Sequence, residues 1–188
     1  MSTDRSAATG AASERTRPPP GSVAAAPMAP DVDRLARPHQ PDFAGCYGCA
    51  PNQPVGLMMR SVDTDTDTDT DGDVMEFTPR PAHQGSAGVT HGGVLAAAMD
   101  EAIGVAIWRL GGAYVTARLE TDYLRSVPIG TMLLIRTRCT GVHGRKVYAE
   151  AEAVLGMDGP VAVRAAALYV EVAADRPTGP EKPATTGA

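Results

Sequence analysis

Apolar positions in this 188-residue chain follow two different periods. In Val74-Met75-Glu76-Phe77-Thr78 they alternate with a period near two, as in a strand. From about His91 to Leu110 the chain is apolar almost all the way round a helix, which predicts a buried helix. Thr90 suits its N-cap, and Gly111-Gly112 suits a glycine C-cap. Four strand-like segments follow at 113–123, 131–140, 145–155 and 161–172. They are separated by Pro128-Ile129-Gly130, His143-Gly144 and the turn residues 156–160. A shorter strand fits 57–62. Turns this short imply antiparallel pairing. One long apolar helix against one curved antiparallel sheet is an α+β architecture.

Composition sets the limits of the folded part. The chain is 43% hydrophobic, yet residues 1–40 are rich in Ala, Pro, Ser and Arg and show no apolar periodicity. Residues 175–188 read the same way. Both segments are expected to be disordered tails around one domain at 41–174. Within it, 63–73 is an acidic Asp-Thr run. Asp67-x-Asp69-x-Asp71-Gly72 imitates the start of an EF-hand loop, but its twelfth position is Thr78 where a bidentate Glu is needed. A solvated hairpin loop is expected there. The net charge of −5 argues against nucleic-acid binding, which needs a basic face. With no secretory h-region and no uncharged membrane-length run, a cytoplasmic protein that does not enter the membrane is expected.

The chemistry concentrates in Thr90-His91-Gly92-Gly93-Val94-Leu95-Ala96-Ala97-Ala98-Met99-Asp100-Glu101-Ala102-Ile103-Gly104. A helix start presents unsatisfied N–H groups and the positive end of the dipole, which suits an oxygen gaining negative charge. Two carboxylates in an apolar helix are expensive unless paired, protonated or used. A carbonyl-polarising helix start and a buried carboxylate are the parts needed to hydrolyse an ester or thioester. Spacing alone leaves Asp100 and Glu101 both open as the reactive group. No Gly-x-Ser-x-Gly elbow is present. Cys46-Tyr47-Gly48-Cys49 has the spacing of half a zinc site. No second pair follows it, and His39, His83, His91 and His143 are scattered. The expectation is a tightly packed turn, with no metal and no cofactor.

Helix geometry adds a constraint. His91 and Asp100 are about 13 Å apart along the axis and on opposite sides of the helix. One subunit therefore cannot bring the glycine helix start and Asp100 to the same small group. A twofold partner with its helix antiparallel can, which predicts at least a homodimer with two shared sites.

The arrangement resembles the hotdog fold, in which an antiparallel sheet wraps one long central helix. His83-Gln84-Gly85-x-x-Gly88-x-x-His91-Gly92-Gly93, followed by Asp100 and Gly104, is similar to the helix motif of phenylacetate-degradation-type hotdog thioesterases. So are Cys46-x-x-Cys49-x-x-x-x-Pro54-x-Gly56-Leu57, Tyr123-x-x-x-x-Pro128-x-Gly130 and Gly144-Arg145-Lys146. The resemblance covers about residues 43–172. It implies hydrolysis of an acyl-coenzyme A or acyl-carrier thioester by a dimer or a dimer of dimers. It further implies that Asp100 is nucleophile or general base and that the Gly92 N–H polarises the carbonyl. Thr116 would position water, and Gln84 would help place substrate or water. Glu101 then supports the site or the interface. His91 and Gly93 would line the thioester arm, and Arg125, Arg145 and Lys146 could meet coenzyme A phosphates. Two other readings use the same fold: a non-catalytic acyl-binding protein, and a dehydratase or hydratase. The last needs a His working with an acid in one site, a pattern not seen here.

Overall fold

The computed structural model describes residues 12–24, 43–62 and 73–173. Its elements in chain order are β1 (Arg60–Ser61), β2 (Val74–Phe77), α1 (Gly92–Trp108), β3 (Tyr114–Tyr123), β4 (Leu133–His143), β5 (Lys146–Leu155) and β6 (Val161–Glu171). The strands form one antiparallel sheet in the order β1-β2-β4-β5-β6-β3. The chain leaves β2, forms α1, and re-enters the sheet at the opposite edge as β3. The α+β arrangement expected from the pattern is the one observed.

Alternation decides which side chains meet the helix. On β5 and β6, Val147, Ala149, Ala151, Ala153, Val163, Ala165, Ala167 and Tyr169 join the core with Leu95, Met99, Ala102, Ile103 and Ile107 of α1. Five of these inward positions are alanine, so the sheet can approach closely and curl round the helix. Only Gly93 of α1 is exposed, as an all-round apolar helix requires. Ile103 is fully buried, and shortening it to Ala should cost about 2–5 kcal/mol through lost transfer energy and a cavity.

Several boundaries differ from expectation. The N-cap is His91, not Thr90: the His91 ring nitrogen Nδ1 accepts from the Gly93 N–H at 2.9 Å. Thr90 instead lies in a short bridge opposite Gln84. Of the strand expected at 57–62 only two residues pair, while β4 runs on to His143. Asp73, expected in a solvated loop, is buried. It pairs with Arg109 at 2.9 Å, and its carbonyl accepts from the N–H and hydroxyl of Thr137. The rest of the acidic run, 63–72, lies outside the described residues, as do 1–11, 25–42 and the tail from 174 onward.

Part of the expected N-terminal tail is ordered. Residues 12–24 cross the outer face of the sheet. Val23 pairs with Val142 on β4, and Thr16, 1% exposed, donates to Glu120 on β3 at 2.7 Å. The segment lacks apolar periodicity because its anchors are polar and point at one carboxylate. Burial pushes the Glu120 carboxyl up. Hydrogen bonds from Ser13, Arg118 and Thr16 outweigh that and hold it at about 2. Among the described residues no helix is long and apolar enough to cross a membrane.

Candidate active site

The start of α1 is built by the loop before it. His83 is fully buried against Phe77. Its Nδ1 accepts from the Arg80 N–H at 3.0 Å, so the proton sits on Nε2, which faces the Gly56 carbonyl at 3.2 Å. Burial lowers its pKa and keeps it neutral. The His83 carbonyl in turn accepts from the His91 N–H at 2.9 Å. Gly85 packs so closely that an added Cβ would lie 3.0 Å from the His91 Cα. The loop thus fixes the entry of the helix.

That entry leaves one donor open. Val94 and Leu95 donate to the His91 carbonyl, and Gly93 is capped by the His91 ring. The Gly92 N–H has no acceptor among the described residues. It lies in a cleft of about 340 Å³ walled by Val89, Thr90, Leu95, Tyr123, Arg125 and Val127. Tyr123 donates to the Gly92 carbonyl at 3.0 Å. The Thr90 hydroxyl in the same wall is buried and also has no partner among the described residues.

Asp100 sits eight residues further on, about 12 Å along the axis. Its Oδ1 accepts from Thr116 at 2.9 Å and from Tyr169 at 2.7 Å, and its carbonyl accepts from Tyr169 at 2.9 Å. Nothing among the described residues bonds Oδ2. Burial, with the Asp100 charge adding to it, raises the Tyr169 pKa well above the ordinary phenol value. Tyr169 is therefore a fixed neutral donor, and the carboxylate is aimed with one oxygen held and one open. Thr116 and Tyr169 are register partners on β3 and β6, which explains how both reach the same oxygen.

The expected site residues thus fall into separate places. Gly92 and Arg125 gather at the helix start, where Tyr123 joins them, and Asp100 and Thr116 at its middle, where Tyr169 joins them. Arg125 bonds the carbonyl of Val161 at one end of β6, while Arg145 and Lys146 lie beside Glu171 and Val170 at the other. About 30 Å of strand separates them, so the three cations do not meet one phosphate group within a chain. Gln84 spends its carbonyl oxygen on the Gly88 N–H, and neither it nor His91 nor Gly93 lines the cleft. Tyr169 was missed from the sequence: on β6 it reads as one more inward strand residue. Tyr123 was seen only as part of a motif.

Glu101 faces away from this group. The Cys46 thiol donates to its Oε2 at 3.7 Å. Cys49 is buried beside them, its pKa raised by the hydrogen bond with Cys46, by burial and by the Glu101 charge.

The fold is a hotdog-like α+β domain. Residues 87–162 match the family model described as the thioesterase superfamily. Acyl-coenzyme A thioesterase THEM4 of Xenopus laevis is 31% identical over 96 residues, 51% of this chain and 43% of that protein. The chain thus spans less than half the length of that relative. PaaI from the phenylacetic acid degradation operon of E. coli superposes with a TM-score of 0.55 at 18% identity, over 62% of this chain and 81% of that one. The smu.793 protein of Streptococcus mutans, solved bound to acetyl CoA, superposes with a TM-score of 0.54 at 18% identity, over 61% and 88%.

Proposed function

We propose that this protein hydrolyses acyl-coenzyme A thioesters, as a phenylacetate-degradation-type hotdog thioesterase working as a homodimer. The observation that carries the reading is the Asp100 carboxylate, pinned through Oδ1 by Thr116 and Tyr169 with Oδ2 open, on the same helix that leaves the Gly92 N–H unbonded at its start. The match to the thioesterase superfamily and the THEM4 relative support it. The thioester carbonyl oxygen takes the Gly92 N–H. Asp100 either takes the proton of a water that attacks the carbonyl carbon, or attacks it directly. The oxyanion gains the N–H and the helix dipole, and collapse expels the coenzyme A thiolate. In the first case the proton held by Asp100 passes to the thiolate; in the second, water hydrolyses the acyl-aspartyl anhydride, releases the acid and restores Asp100.

The two groups are too far apart to serve one carbonyl within a chain. The edge of the sheet suggests how a second copy completes the site. Among the described residues β3 pairs only with β6, which leaves its other edge open over ten residues, and Thr116, Ala117 and Arg118 in its middle are exposed. Antiparallel pairing of two β3 strands centred near Leu119 and Glu120 sets Thr116 opposite the partner subunit's Tyr123. Asp100 of one copy then faces the helix start of the other. Release of free thiol from short-chain, long-chain and aryl acyl-coenzyme A esters tests the activity and its range. Binding of these esters without thiol release would favour the acyl-binding reading on the same fold.

A further inference from the structure

The turn at Cys46–Cys49 does more than pack. It closes through the Ala50 N–H on the Cys46 carbonyl at 3.1 Å. It is tied down again by Leu57 N–H to Tyr47 O at 2.7 Å and Met59 N–H to Gly48 O at 2.9 Å. Neither cysteine is in a disulfide, and a third metal-ligating group reaches them from the middle of α1. The Cys46 Sγ, the Cys49 Sγ and a Glu101 carboxylate oxygen all lie within 4.8 Å of one another. Gly48 lets this happen: a Cβ there would fall 2.3 Å from Glu101 Oε2. The loop backbone is thus pressed against the carboxylate, and any other residue at 48 would displace it. Cys49 is buried, while Cys46 and Glu101 are half-buried, so the cluster keeps one side open.

We propose that Cys46, Cys49 and Glu101 bind one zinc-type divalent cation, with the fourth, tetrahedral position left to water. The donor set fits this class of ion. Two thiolates select a borderline-soft metal over calcium or magnesium, and zinc accepts a carboxylate oxygen with them. The spacing Cys-x-x-Cys supplies half of the site, and the helix supplies the third ligand from a distant part of the chain. The role is structural: the ion clamps the 43–59 segment onto α1 at the residue beside Asp100. The site is separate from the chemistry proposed above, and its test does not depend on that activity.

Cobalt(II) is the probe, because thiolate coordination gives an intense near-ultraviolet charge-transfer band and tetrahedral geometry gives strong visible bands. The full chain without an affinity tag is stripped with chelator, kept reduced and titrated. The expected result is one cobalt per chain with both sets of bands, bleached by one equivalent of zinc. Cys46→Ser and Cys49→Ser should each remove most of the charge-transfer band. Glu101→Gln should weaken binding by at least about tenfold. Cys139→Ser should leave the spectrum unchanged. Circular dichroism checks that each variant folds. If a cysteine variant does not, the wild-type spectrum and stoichiometry decide. A reduced wild-type protein that shows no thiolate band overturns the proposal, as does a spectrum insensitive to the Cys46 and Cys49 changes. So does unaltered affinity in Glu101→Gln, or a Cys46–Cys49 disulfide that forms in air in the presence of excess zinc.

Discussion

At its start α1 leaves a donor open; eight residues further along it ties a carboxylate down. Gly92 has no side chain, no acceptor for its N–H among the described residues, and it lines a cleft. Asp100 has Thr116 and Tyr169 on one oxygen, both from neighbouring strands. The first region is prepared by removal: His91 satisfies Gly93 and leaves Gly92 alone. The second is prepared by addition, with hydroxyls brought in from the sheet to aim a charge. An oxyanion site works by donors that wait unbonded, and a nucleophile or base works by being held still. Under the proposed function, the difference between the two regions is a difference of chemical role.

The comparison breaks most sharply at Asp100. Asp100→Asn keeps an oxygen for Thr116 and Tyr169 to donate to, so the fold should persist while thiol release falls by about 10²–10⁴. Turnover near that of the wild type would remove Asp100 from the mechanism and direct attention to Glu101. Tyr169→Phe comes next. It removes a hydrogen bond to a charged group and should lower stability by about 1.5–3 kcal/mol in urea unfolding, with a slower rate because the carboxylate is aimed less well. A Phe variant of unchanged stability and rate would show that Thr116 alone holds Asp100. At the helix start, Thr90→Val removes a buried hydroxyl that has no partner among the described residues, so stability should hold or rise by about 1 kcal/mol. A clear loss of stability would mean that the hydroxyl is bonded in the folded protein.

Sequence pattern reached the helix and the strands because each has a local cause. Glycine pairs bracket the helix, and the period changes from helical to alternating after it. Two acids interrupt the apolar run, but the pattern left Asp100 and Glu101 both open, and only the family resemblance chose between them. The partners of Asp100 have no local cause. Tyr169 occupies an inward position on β6 just as Val163 and Ala165 do, and only the register with Thr116 gives its hydroxyl a target. Glu101 met the cysteines for the same reason: a tertiary contact joined a loop to a helix, and spacing along the chain carries no trace of it. Residues 12–24 read as tail because their anchors are polar groups converging on Glu120.

That outer-face contact gives a similarly small predicted effect and serves as a control on the site. The Glu120 pKa is depressed in the folded chain, from 4.5 to about 2. Its contribution is therefore full above the unfolded value and fades as pH falls from about 4.5 toward 2. Glu120→Gln should cost about 1 kcal/mol near neutral pH, the upper range for a largely surface pair, with the difference from wild type shrinking toward pH 2. Thiol release per folded dimer should not change. A gap between the two proteins that widens on acidification would contradict the assignment of this carboxylate.

The central claim is that the open donor and the held carboxylate of one site come from two subunits. Subunit mixing tests it directly. Gly92→Pro deletes the open N–H at the first helical position, where proline is tolerated and where the preceding His91, at ψ 135, already has the extended backbone that proline demands. The space is there as well, since an added Cβ meets only the Tyr123 ring at 3.6 Å. Asp100→Asn and Gly92→Pro proteins, each inactive alone, are unfolded together, refolded and assayed. In a heterodimer one site carries both defects and the other carries neither, so activity should return to about half of the wild-type value per heterodimer. Heterodimers that form, with folded Gly92→Pro subunits, and release no thiol would mean that each chain builds its own site.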